Sequence, residues 1–392
     1  MIEITEKYKC CGCKACYNIC PVSCIEMVID EEGFWYPKVD TLRCTQCGLC
    51  TQVCPELNVY ACVKCAKEPV ALAVRNKNDA KRLKSSSGGV FIALAEYVIS
   101  NDGVVFGAGY DEDFNVIHKQ ATTLEELKQL MGSKYVQSDI GSTYEKAKGY
   151  LDNNKKVLFT GTPCQIAGLQ NYLGNDYSNL YSCDLICHGV PSPKVFSKYK
   201  KFLEERYSSK IEMISFRDKD QGWNLFSMVV EFSNGQKYQA NLQKDPFLVG
   251  FLRNLYLRPS CYRCPYSRLP RVSDITLGDY WGVQTRYPAI DNDKGVSLVL
   301  INTAKGEQLI EHCAENLEMS ATDLEHAIQF NSCIVRPVSM PERRNTFFQD
   351  LTNEDFSVVV RKYMSPQSIW MRGINFFKRV VNHVGRKMRM PH

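Results

Sequence analysis

Eight cysteines near the N-terminus have a spacing that suits iron–sulfur chemistry. Residues 10–21 and residues 44–55 each contain the pattern C-x2-C-x2-C-x3-C-P. A short turn can bring the first three thiolates of such a run to one cluster, while the fourth, farther along, ligates the other cluster. The repeat therefore predicts two 4Fe-4S clusters. The predicted ligands are Cys10, Cys13, Cys16 and Cys54 for the first cluster, and Cys20, Cys44, Cys47 and Cys50 for the second.

A pair of structural zinc sites is the alternative for these cysteines. Zinc sites generally use separated C-x2-C pairs, frequently with histidine, whereas the first histidine of this chain is His118. The repeated triple spacing therefore favours iron. Cys11 and Cys24 lie outside the pattern and are interpreted as small apolar residues of a tight fold. Cys62 and Cys65 form one more pair, which cannot complete a four-thiolate site alone.

The chain that positions these cysteines has the composition of a folded protein. It has 392 residues, of which 44% are hydrophobic and 23% charged, and this length suits two or three domains. The net charge of +5 is too small to indicate a nucleic-acid partner. No secretory signal and no apolar run of about 18 residues is present. We therefore expect a cytoplasmic protein whose 19 cysteines bind metal rather than form disulfides.

Apolar strands and helices alternate between residues 70 and 193, which indicates an α/β domain. Cys164 and Cys187 each follow one of these strands, and ligands gather at the carboxyl ends of parallel strands. The sequence SSSGG at 85–89 opens a helix, so its N–H groups suit a phosphate; a capped helix without a ligand is the alternative. From residue 211 onward, apolar segments around Asn234-Gly235 predict strands and a hairpin.

The C-terminal segment is strongly basic. Residues 361–392 contain eight Lys or Arg and no Asp or Glu. Helical spacing relates its large apolar residues, which are Trp370, Ile374, Phe377, Val381 and Val384. The pattern predicts a basic amphipathic helix. Such a helix either lies on an anionic membrane surface or packs on its own domain or on a partner.

Together these segments resemble the coenzyme F420 hydrogenase/dehydrogenase beta-subunit family. The shared motifs, in the family's order, are the double ferredoxin run, SSSGG (85–89), GSKYVQS (132–138), FTGTPCQIAGL (159–169), DLICHGVPSP (184–193), C-x2-C (261–264) and DITLGDYWG (274–282). The resemblance covers residues 8–340. It is to the bacterial type, in which the ferredoxin unit is fused at the front.

The resemblance implies a flavin, usually FAD, next to iron–sulfur clusters. It assigns flavin binding to Ser86, Ser87, Gly88, Gly89, Lys134, Tyr135, Ser138, Thr160, Gly161, Thr162 and Pro163. Within this set the Ser/Gly loop is the expected phosphate cradle, and Lys134 is the expected catalytic residue near the flavin ring. The other segments are expected to form the walls of the ring pocket.

A third 4Fe-4S cluster is expected from the downstream cysteines that lie inside the family motifs. Four thiolates suffice for one such cluster. Its expected ligands are Cys164, Cys187, Cys261 and Cys264. The cysteines outside the strongest motif positions, which are Cys183, Cys313 and Cys333, are interpreted as small buried residues. His188 is interpreted as a hydrogen-bond donor beside a ligand rather than as a ligand.

The expected fold class is a multidomain α+β and α/β protein. A bacterial two-cluster ferredoxin fold precedes an α/β flavin-binding domain with an additional mixed β-rich region. The expected boundaries are 1–60 for the ferredoxin domain, 61–84 for a connector and first strand, 85–195 for the flavin-binding region, 196–340 for the C-terminal part of the beta-subunit-like domain, and 341–392 for the basic helical tail.

The resulting hypothesis is an iron–sulfur flavoprotein oxidoreductase. Its clusters exchange electrons with a ferredoxin-type donor or redox partner protein, and its flavin exchanges hydride with a deazaflavin or another organic substrate. The alternatives are a reductase of a sugar or polysaccharide precursor, a non-catalytic electron-transfer subunit of a larger complex, and a zinc-stabilised interaction module. Through its basic tail, the protein is also expected to contact the inner membrane surface peripherally.

Overall fold

The computed structural model describes residues 1–58 and 68–365. Its N-terminal segment is ferredoxin-like, with two short helices and one antiparallel hairpin. The helices are α1 (Ala15–Ile19) and α2 (Leu49–Gln52), and the strands are β1 (Ile25–Ile29) and β2 (Trp35–Val39). The cysteine pair Cys62 and Cys65 and the segment 366–392 lie outside the described residues.

The two cysteine turns have matching backbone conformations. Gly12 and Lys14 have φ values of 70° and 59° in the first turn, and Gln46 and Gly48 have values of 54° and 77° at the equivalent positions of the second. Left-handed residues within a turn direct successive N–H groups into a concave site for an anion. The turns therefore suit a negatively charged cluster, as the sequence repeat predicts.

The strands of the remaining chain form one large mixed sheet and one small antiparallel sheet. Their bounds are β3 (Val70–Asn76), β4 (Val104–Tyr110), β5 (Val116–Ala121), β6 (Val157–Gly161), β7 (Leu180–Leu185), β8 (Ile211–Asp218), β9 (Ser227–Phe232), β10 (Lys237–Asn241), β11 (Ile275–Asp279), β12 (Ser297–Ile301) and β13 (Leu317–Ala321). The large sheet has the order β13-β3-β12-β11-β7-β6-β4-β5, and the small sheet has the order β10-β9-β8.

The centre of the large sheet is parallel. Strands β11, β7, β6 and β4 run in the same direction, and the outer neighbours are antiparallel. Residues that follow β6 and β7 therefore meet at one edge of the sheet. Because β3, β11, β12 and β13 share this sheet with β4–β7, one sheet joins segments that the sequence assigned to separate regions.

Helices cover both faces of the large sheet, and four others, α8, α9, α12 and α13, pack around the small sheet. The bounds of the helices are α3 (Asp79–Lys84), α4 (Val90–Ser100), α5 (Leu124–Leu127), α6 (Thr143–Asp152), α7 (Pro163–Leu173), α8 (Pro193–Tyr207), α9 (Pro246–Leu252), α10 (Ala304–His312), α11 (Leu324–Phe330), α12 (Arg344–Asn353) and α13 (Phe356–Val359). Short 3-10 helices lie at Lys7–Lys9, Lys128–Leu130, Pro259–Arg263, Val283–Thr285, Ala314–Asn316 and Ser332–Ile334, and a π turn lies at Val360–Met364.

Successive side chains of β6 point to opposite faces of the large sheet. Leu158 packs in the apolar cluster of α4 and α10, whereas Val157 and Phe159 pack in the cluster of α6 and α7. Cys13 and Ala15 of the ferredoxin-like segment belong to this second cluster. The predicted ferredoxin-like and mixed α/β architecture is confirmed, and the ferredoxin-like segment docks on the α6/α7 face.

The first part of the expected tail is a packed part of the core. Phe347 and Leu351 of α12, together with Val359, Tyr363 and Met364, are buried in the aromatic cluster that surrounds the small sheet. Since this burial excludes water from their side chains, these residues stabilise the fold. A membrane-binding role can therefore concern only the segment beyond Ser365, which lies outside the described residues.

Truncation tests this division of the tail. A chain that ends at Ser365 should keep its thermal stability but lose salt-sensitive binding to anionic phosphatidylserine vesicles, because exposed charges are screened over about 10 Å at 0.1 M salt. A chain that ends at Glu354 should lose several kcal/mol, since removing one large buried side chain costs about 2–5 kcal/mol. Vesicle binding by the chain that ends at Ser365, or none by the full chain, would contradict the membrane role.

Candidate metal centre

The four predicted ligands of the first cluster lie together. Cys16 is in α1, and Cys10, Cys13 and Cys54 are buried around it. Burial, and then the neighbouring Cys10 and Cys54 thiols, raise the pKa of Cys16. Burial likewise raises the pKa of Cys54 to about 11, with Cys10 again contributing. Metal ions bind the ionised form of a thiol. A bound metal cation would offset the cost of ionising these packed thiols. We call this set the first thiol group.

The predicted ligands of the second cluster line one cavity of about 330 Å³, which is open to the surface at the exposed Cys47. Cys24 lines the same cavity, and its Sγ is 3.4 Å from Sγ of Cys20. The N–H of Ile2 donates to Sγ of Cys50 at 3.2 Å. We call this set, without Cys24, the second thiol group. Cys24 is buried as expected, but it is also a fifth thiol beside this group.

The expected ligands of the third cluster also meet. Cys164 in the first turn of α7, Cys187 beyond β7, and Cys261 and Cys264 around the Pro259–Arg263 helix line a cavity of about 540 Å³. Burial and neighbouring thiols raise the pKa of Cys261 to about 12 and that of Cys264 to about 11. We call this space the inner cavity.

Sequence reasoning missed two thiols of the inner cavity. Cys11 and Cys333 also line it, although both were interpreted as small core residues. Cys183 and Cys313 are each 1% exposed and pack in the core beside α4 and the sheet. His188 lines the cavity, and its Nε2 is 2.6 Å from Oδ1 of Asn254.

The thiols of these sites are spread rather than focused on one point. Within residues 1–58 and 68–365, no three His, Cys, Asp or Glu side chains converge in a way that could hold a single metal ion. A zinc ion needs its sulfur ligands at about 2.3 Å, whereas each thiolate of a 4Fe-4S cluster binds a different iron. The preference for iron over zinc therefore rests on the repeated triple spacing of the cysteines.

Helix α7 connects the first thiol group to the inner cavity. A Cβ placed on Gly168 would lie 3.0 Å from Sγ of Cys13, and Cys164 is one turn earlier on the same helix. Cys11 contacts both Cys13 and Cys164. The first thiol group and the inner cavity are therefore neighbours where the ferredoxin-like segment packs on α7. Only thiol side chains and one helical turn lie between them.

Thr162 and Pro163, which the family resemblance assigned to the flavin pocket, line the inner cavity. Thr162 is the N-cap of α7, and its Oγ1 lies 3.2 Å from Sγ of Cys164. A thiolate at Cys164 would accept this hydrogen bond. Thr160 Oγ1 donates to the carbonyl of Phe106 at 2.8 Å, and Gly161 ends β6.

Ser138 belongs to a buried network behind Thr162. Burial lowers the pKa of His118 to about 4, so its ring is neutral, and Nε2–H donates to the Thr160 carbonyl at 3.0 Å. Nδ1 therefore accepts from the Ser138 hydroxyl at 2.9 Å. The Gln165 amide donates to Ser138 at 3.0 Å and accepts from the Thr162 N–H at 2.9 Å. This network holds the start of α7 in place.

The Ser/Gly loop is largely tied to its own surroundings. Ser86 Oγ accepts from the N–H of Ser133 at 2.7 Å. Ser87 Oγ donates to the Val296 carbonyl at 3.0 Å, and Gly88 N–H donates to Ser297 Oγ at 2.9 Å. Gly89 is the N-cap of α4 and gives it no side-chain cap. The first N–H groups of α4 are therefore the part of the loop best suited to a phosphate.

Buried cations surround this loop. Lys219 Nζ donates to the carbonyls of Arg82, Ser87 and Lys294 at 2.6 to 2.9 Å. Arg82 Nη2 and Arg217 Nε and Nη2 are buried without a hydrogen-bond partner. Phosphate or ring carbonyl oxygens are acceptors of the kind these donors lack. The residues present therefore fit a flavin nucleotide.

Lys134 and Tyr135 lie beside these cations. Tyr135 Oη accepts from Arg217 at 3.3 Å, and its ring stacks on Phe251 with centroids 4.8 Å apart. Lys134 Nζ donates to the Met131 carbonyl at 2.7 Å. Desolvation, and then the positive charge of a neighbouring lysine, lower the pKa of Lys134 to about 7. This amine can therefore hold or release a proton near neutral pH.

The lowered pKa of Lys134 should be visible in chemical labelling. An amine with a pKa of about 7 is about half uncharged at pH 7, whereas an ordinary lysine is uncharged only at the 10⁻³–10⁻⁴ level. Acylation of Lys134 should therefore rise between pH 6 and 8 and then level off, while exposed lysines such as Lys237 continue to gain about tenfold per pH unit; Lys219, whose pKa burial also lowers to about 7, is a second exception. Mass spectrometry with a Lys134→Gln control identifies the adduct. Equal pH slopes at all lysines would contradict the prediction.

Comparison with known protein families identifies the classes of two segments of the chain. Residues 9–58 match the family model of the 4Fe-4S dicluster domain. The N-terminal segment is therefore an iron–sulfur domain of the electron-transfer type. Residues 154–327 match the model of the C terminus of the coenzyme F420 hydrogenase/dehydrogenase beta subunit. The chain thus combines a dicluster domain with a segment that matches the C-terminal domain of this beta-subunit family, in the order that its motifs predict.

Individual relatives agree with this family. The chain is 24% identical over 321 residues to a coenzyme F420-dependent sulfite reductase of Methanocaldococcus jannaschii, covering 78% of this chain and 46% of the relative. It is 24% identical over 243 residues to the coenzyme F420 hydrogenase subunit beta of Methanococcus voltae, covering 60% of this chain and 78% of the relative. The chain thus spans about half the length of the sulfite reductase. Both relatives are oxidoreductases by name, which is the predicted class.

A solved structure also aligns with the chain. It is the F420-reducing nickel–iron hydrogenase complex from Methanosarcina barkeri, with 18% identity, a TM-score of 0.46, and coverage of 74% of this chain and 95% of that chain. In the described part of the chain, no helix is both long and apolar enough to cross a membrane.

Proposed function

We propose that this chain is an iron–sulfur flavoprotein oxidoreductase that moves electrons between a redox partner protein and a deazaflavin of the coenzyme F420 type. The observation that supports it most is the row of three thiol sites. The second thiol group is open to the surface at Cys47, the first lies behind it, and the inner cavity adjoins the first through α7. A chain of cofactors is what such a row would hold.

Each site has residues with a defined task in this proposal. Two turns hold the first and second clusters, and Cys164, Cys187, Cys261 and Cys264 hold a third. Arg82, Arg217 and the start of α4 bind the flavin phosphates and ring oxygens. Bound clusters would supply one-electron transfer, and a bound flavin would exchange hydride with the substrate.

Lys134 and Thr162 have separate tasks in this proposal, one in proton transfer and one beside a cluster ligand. Lys134, with a pKa of about 7, holds or releases the proton that accompanies hydride exchange at neutral pH. The Thr162 hydroxyl, 3.2 Å from the Cys164 sulfur, donates to a cluster ligand. Hydrogen bonds to cluster sulfurs are one of the factors that set reduction potential.

A non-catalytic electron-transfer subunit is the second candidate. The observation that favours it is that the relative from Methanococcus voltae is named as a beta subunit. Such a chain would carry the same clusters but would need a partner for substrate chemistry. A substrate other than a deazaflavin, such as a sugar precursor, would leave the cluster sites unchanged.

One anaerobic preparation of the full chain separates these functions. We expect about twelve irons, from three 4Fe-4S clusters, one flavin, and flavin-dependent oxidation of reduced coenzyme F420 with a one-electron acceptor. Iron and flavin without turnover would favour the electron-transfer subunit. Zinc in place of iron would refute the proposal, and eight irons would refute the third cluster.

A further inference from the structure

Arg258 is a buried charge without a carboxylate partner. Its residue exposure is 0%, and its guanidinium donates to the Cys10 carbonyl at 2.7 Å, to the Trp35 carbonyl at 2.8 Å and to the Gln137 side-chain oxygen at 3.1 Å. All three acceptors are neutral. Within the described residues, Arg258 forms no ion pair with an acidic side chain.

Other deeply buried arginines of this protein form ion pairs with acidic side chains. Arg217 pairs with Asp279, Arg271 pairs with Asp184, and Arg344 pairs with Glu32. Taking an unpaired cation out of water costs several kcal/mol, so a buried charge is expected to have a counter-charge. The carboxyl of Glu56, which lines the inner cavity, attracts Arg258 without forming an ion pair, and burial raises the pKa of Glu56 to about 7, so its charge is incomplete at neutral pH. Arg258 therefore lacks a full counter-charge in contact with it.

The position of Arg258 identifies the missing counter-charge. Its Nε contacts the backbone of Cys10 in the first thiol group. Its carbonyl accepts the N–H of Cys261, which lines the inner cavity. The thiols of Cys10, Cys11 and Cys261 lie near enough to the guanidinium that a negative charge on them would stabilise it. Arg258 therefore lies between the two sites that thiolate clusters would occupy.

We propose that Arg258 sets the reduction potentials of both the first and the inner cluster by acting as their shared counter-charge. The inference rests on the proposed function, because it needs clusters at these two sites. A cluster with four thiolates is anionic and gains one more negative charge on reduction. A buried cation therefore favours the reduced form, and low polarity around it keeps the interaction strong. None of the thiols that interact with Arg258 belongs to the second thiol group.

Arg258 also ties the ferredoxin-like segment to the large domain, and this docking role is the competing explanation. Its hydrogen bonds to Cys10 and Trp35 carbonyls are contacts between the two parts. A Cβ on Gly12 would lie 2.8 Å from Arg258 Nη1, so the two parts fit closely here. Docking alone predicts a loss of stability, whereas the counter-charge role predicts a change in potential.

The test is an EPR-monitored redox titration of the full anaerobic protein. In Arg258→Met we expect all irons to remain. At a fixed potential, the ratio of reduced to oxidised cluster should fall at least tenfold for the first and inner clusters, which for one electron equals a shift of about 59 mV. The second cluster should change less than threefold. Arg263→Met is the matched control, because Arg263 lies in the same short helix but is exposed, and it should leave all ratios within threefold.

A second variant separates charge from docking. Arg258→Lys keeps the charge but loses the forked hydrogen bonds, so its cluster ratios should stay within threefold of those of the unchanged protein. A tenfold fall in Arg258→Lys as well, or no fall in Arg258→Met with full iron, would overturn the inference and leave the proposed function standing. A protein with eight irons would refute the inner cluster and the shared role, whatever the shift of the first cluster.

The melting temperature, measured with and without iron, shows whether Arg258→Met folds and tests the counter-charge role independently. Iron removal by a chelator should lower the melting temperature of the unchanged protein more than that of Arg258→Met, because only the former keeps a buried cation without its anion. The same comparison with Arg258→Lys should resemble the unchanged protein. An equal effect of iron removal on all three proteins would overturn the inference.

Discussion

Replacement of both Cys261 and Cys264 by serine should remove about four of about twelve irons, because one 4Fe-4S cluster of three would lose half of its thiolates. Serine oxygen is a harder ligand than the soft thiolate that such clusters select. The N-terminal turns, which are separate in sequence and hold their own thiols, should keep about eight irons. Iron analysis and EPR of the reduced protein give both values.

The same variant should block electron flow through the protein. The first thiol group reaches the inner cavity through Cys11 and the Cys13–Gly168 contact, and removal of the inner cluster interrupts this route. Reduction of the N-terminal clusters by dithionite should be unchanged, whereas their reoxidation by an acceptor at the flavin should be abolished. Stopped-flow absorbance after mixing with the acceptor measures this step.

Cys313→Ser is the matched control for this double variant. Cys313 is more deeply buried than the half-buried Cys261 and Cys264, and its Sγ donates to the Ala93 carbonyl at 3.5 Å in the core beside α4, away from the inner cavity. We expect full iron content and unchanged reoxidation. If the double variant kept all of its iron, or if Cys313→Ser lost as much, the third cluster would not be held by Cys261 and Cys264.

Replacement of Arg344 by methionine should loosen the docking of the ferredoxin-like segment by about 3–5 kcal/mol, the usual cost of removing one partner of a buried ion pair. Arg344 in α12 makes two hydrogen bonds, of 2.7 and 2.6 Å, to the carboxylate of Glu32 in the turn between β1 and β2. The side chains are 5% and 13% exposed. Without Arg344, Glu32 keeps a largely buried charge with no cation in contact.

Hydrogen exchange measures this loosening where it occurs. Amides of the β1–β2 hairpin should lose protection in Arg344→Met, while those of the large sheet keep theirs. Arg286→Met is the control, since the Arg286–Asp323 pair is 50% and 36% exposed and exposed pairs contribute about 0–1 kcal/mol. Similar protection of the hairpin in both variants would show that the Arg344 pair does not hold the segment in place.

Docking is the structural step on which the proposed function depends. Gly168 allows α7 to approach Cys13, and Arg258 and Arg344 bind the turns of the ferredoxin-like segment. Each of these contacts joins residues more than 150 positions apart in the chain. The distance between the candidate clusters is therefore set by packing between two parts of the protein and not by either part alone.

Local patterns predicted the secondary structure well where one physical signal dominated. The apolar run at 157–161 and the turn at Asn234-Gly235 form β6 and the β9–β10 hairpin. The local pattern at 304–318 favours a helix, but the helix that forms ends at His312, because residues 317–321 form the edge strand β13 against β3. Pairing with a strand about 240 residues away overrides the local helical pattern there.

The sequence by itself determined the two cysteine turns. Their ligands lie within 11 residues in each run, and a chain of that length has few ways to arrange three thiols and a left-handed turn. Spacing alone was therefore enough to indicate the chemistry of the first and second thiol groups. The family motifs added Cys164, Cys187, Cys261 and Cys264 as a set, although a short spacing connects only Cys261 and Cys264.

Only the tertiary structure decided which other side chains surround these thiols. Cys11 and Cys333 line the inner cavity, and Thr162 hydrogen-bonds to Cys164. Arg258 shows no motif and is recognised only because its buried charge lacks a carboxylate. Burial and counter-charge depend on contacts between distant segments, and a local pattern cannot encode them, since each residue's neighbours in space are chosen by the packing of the whole chain.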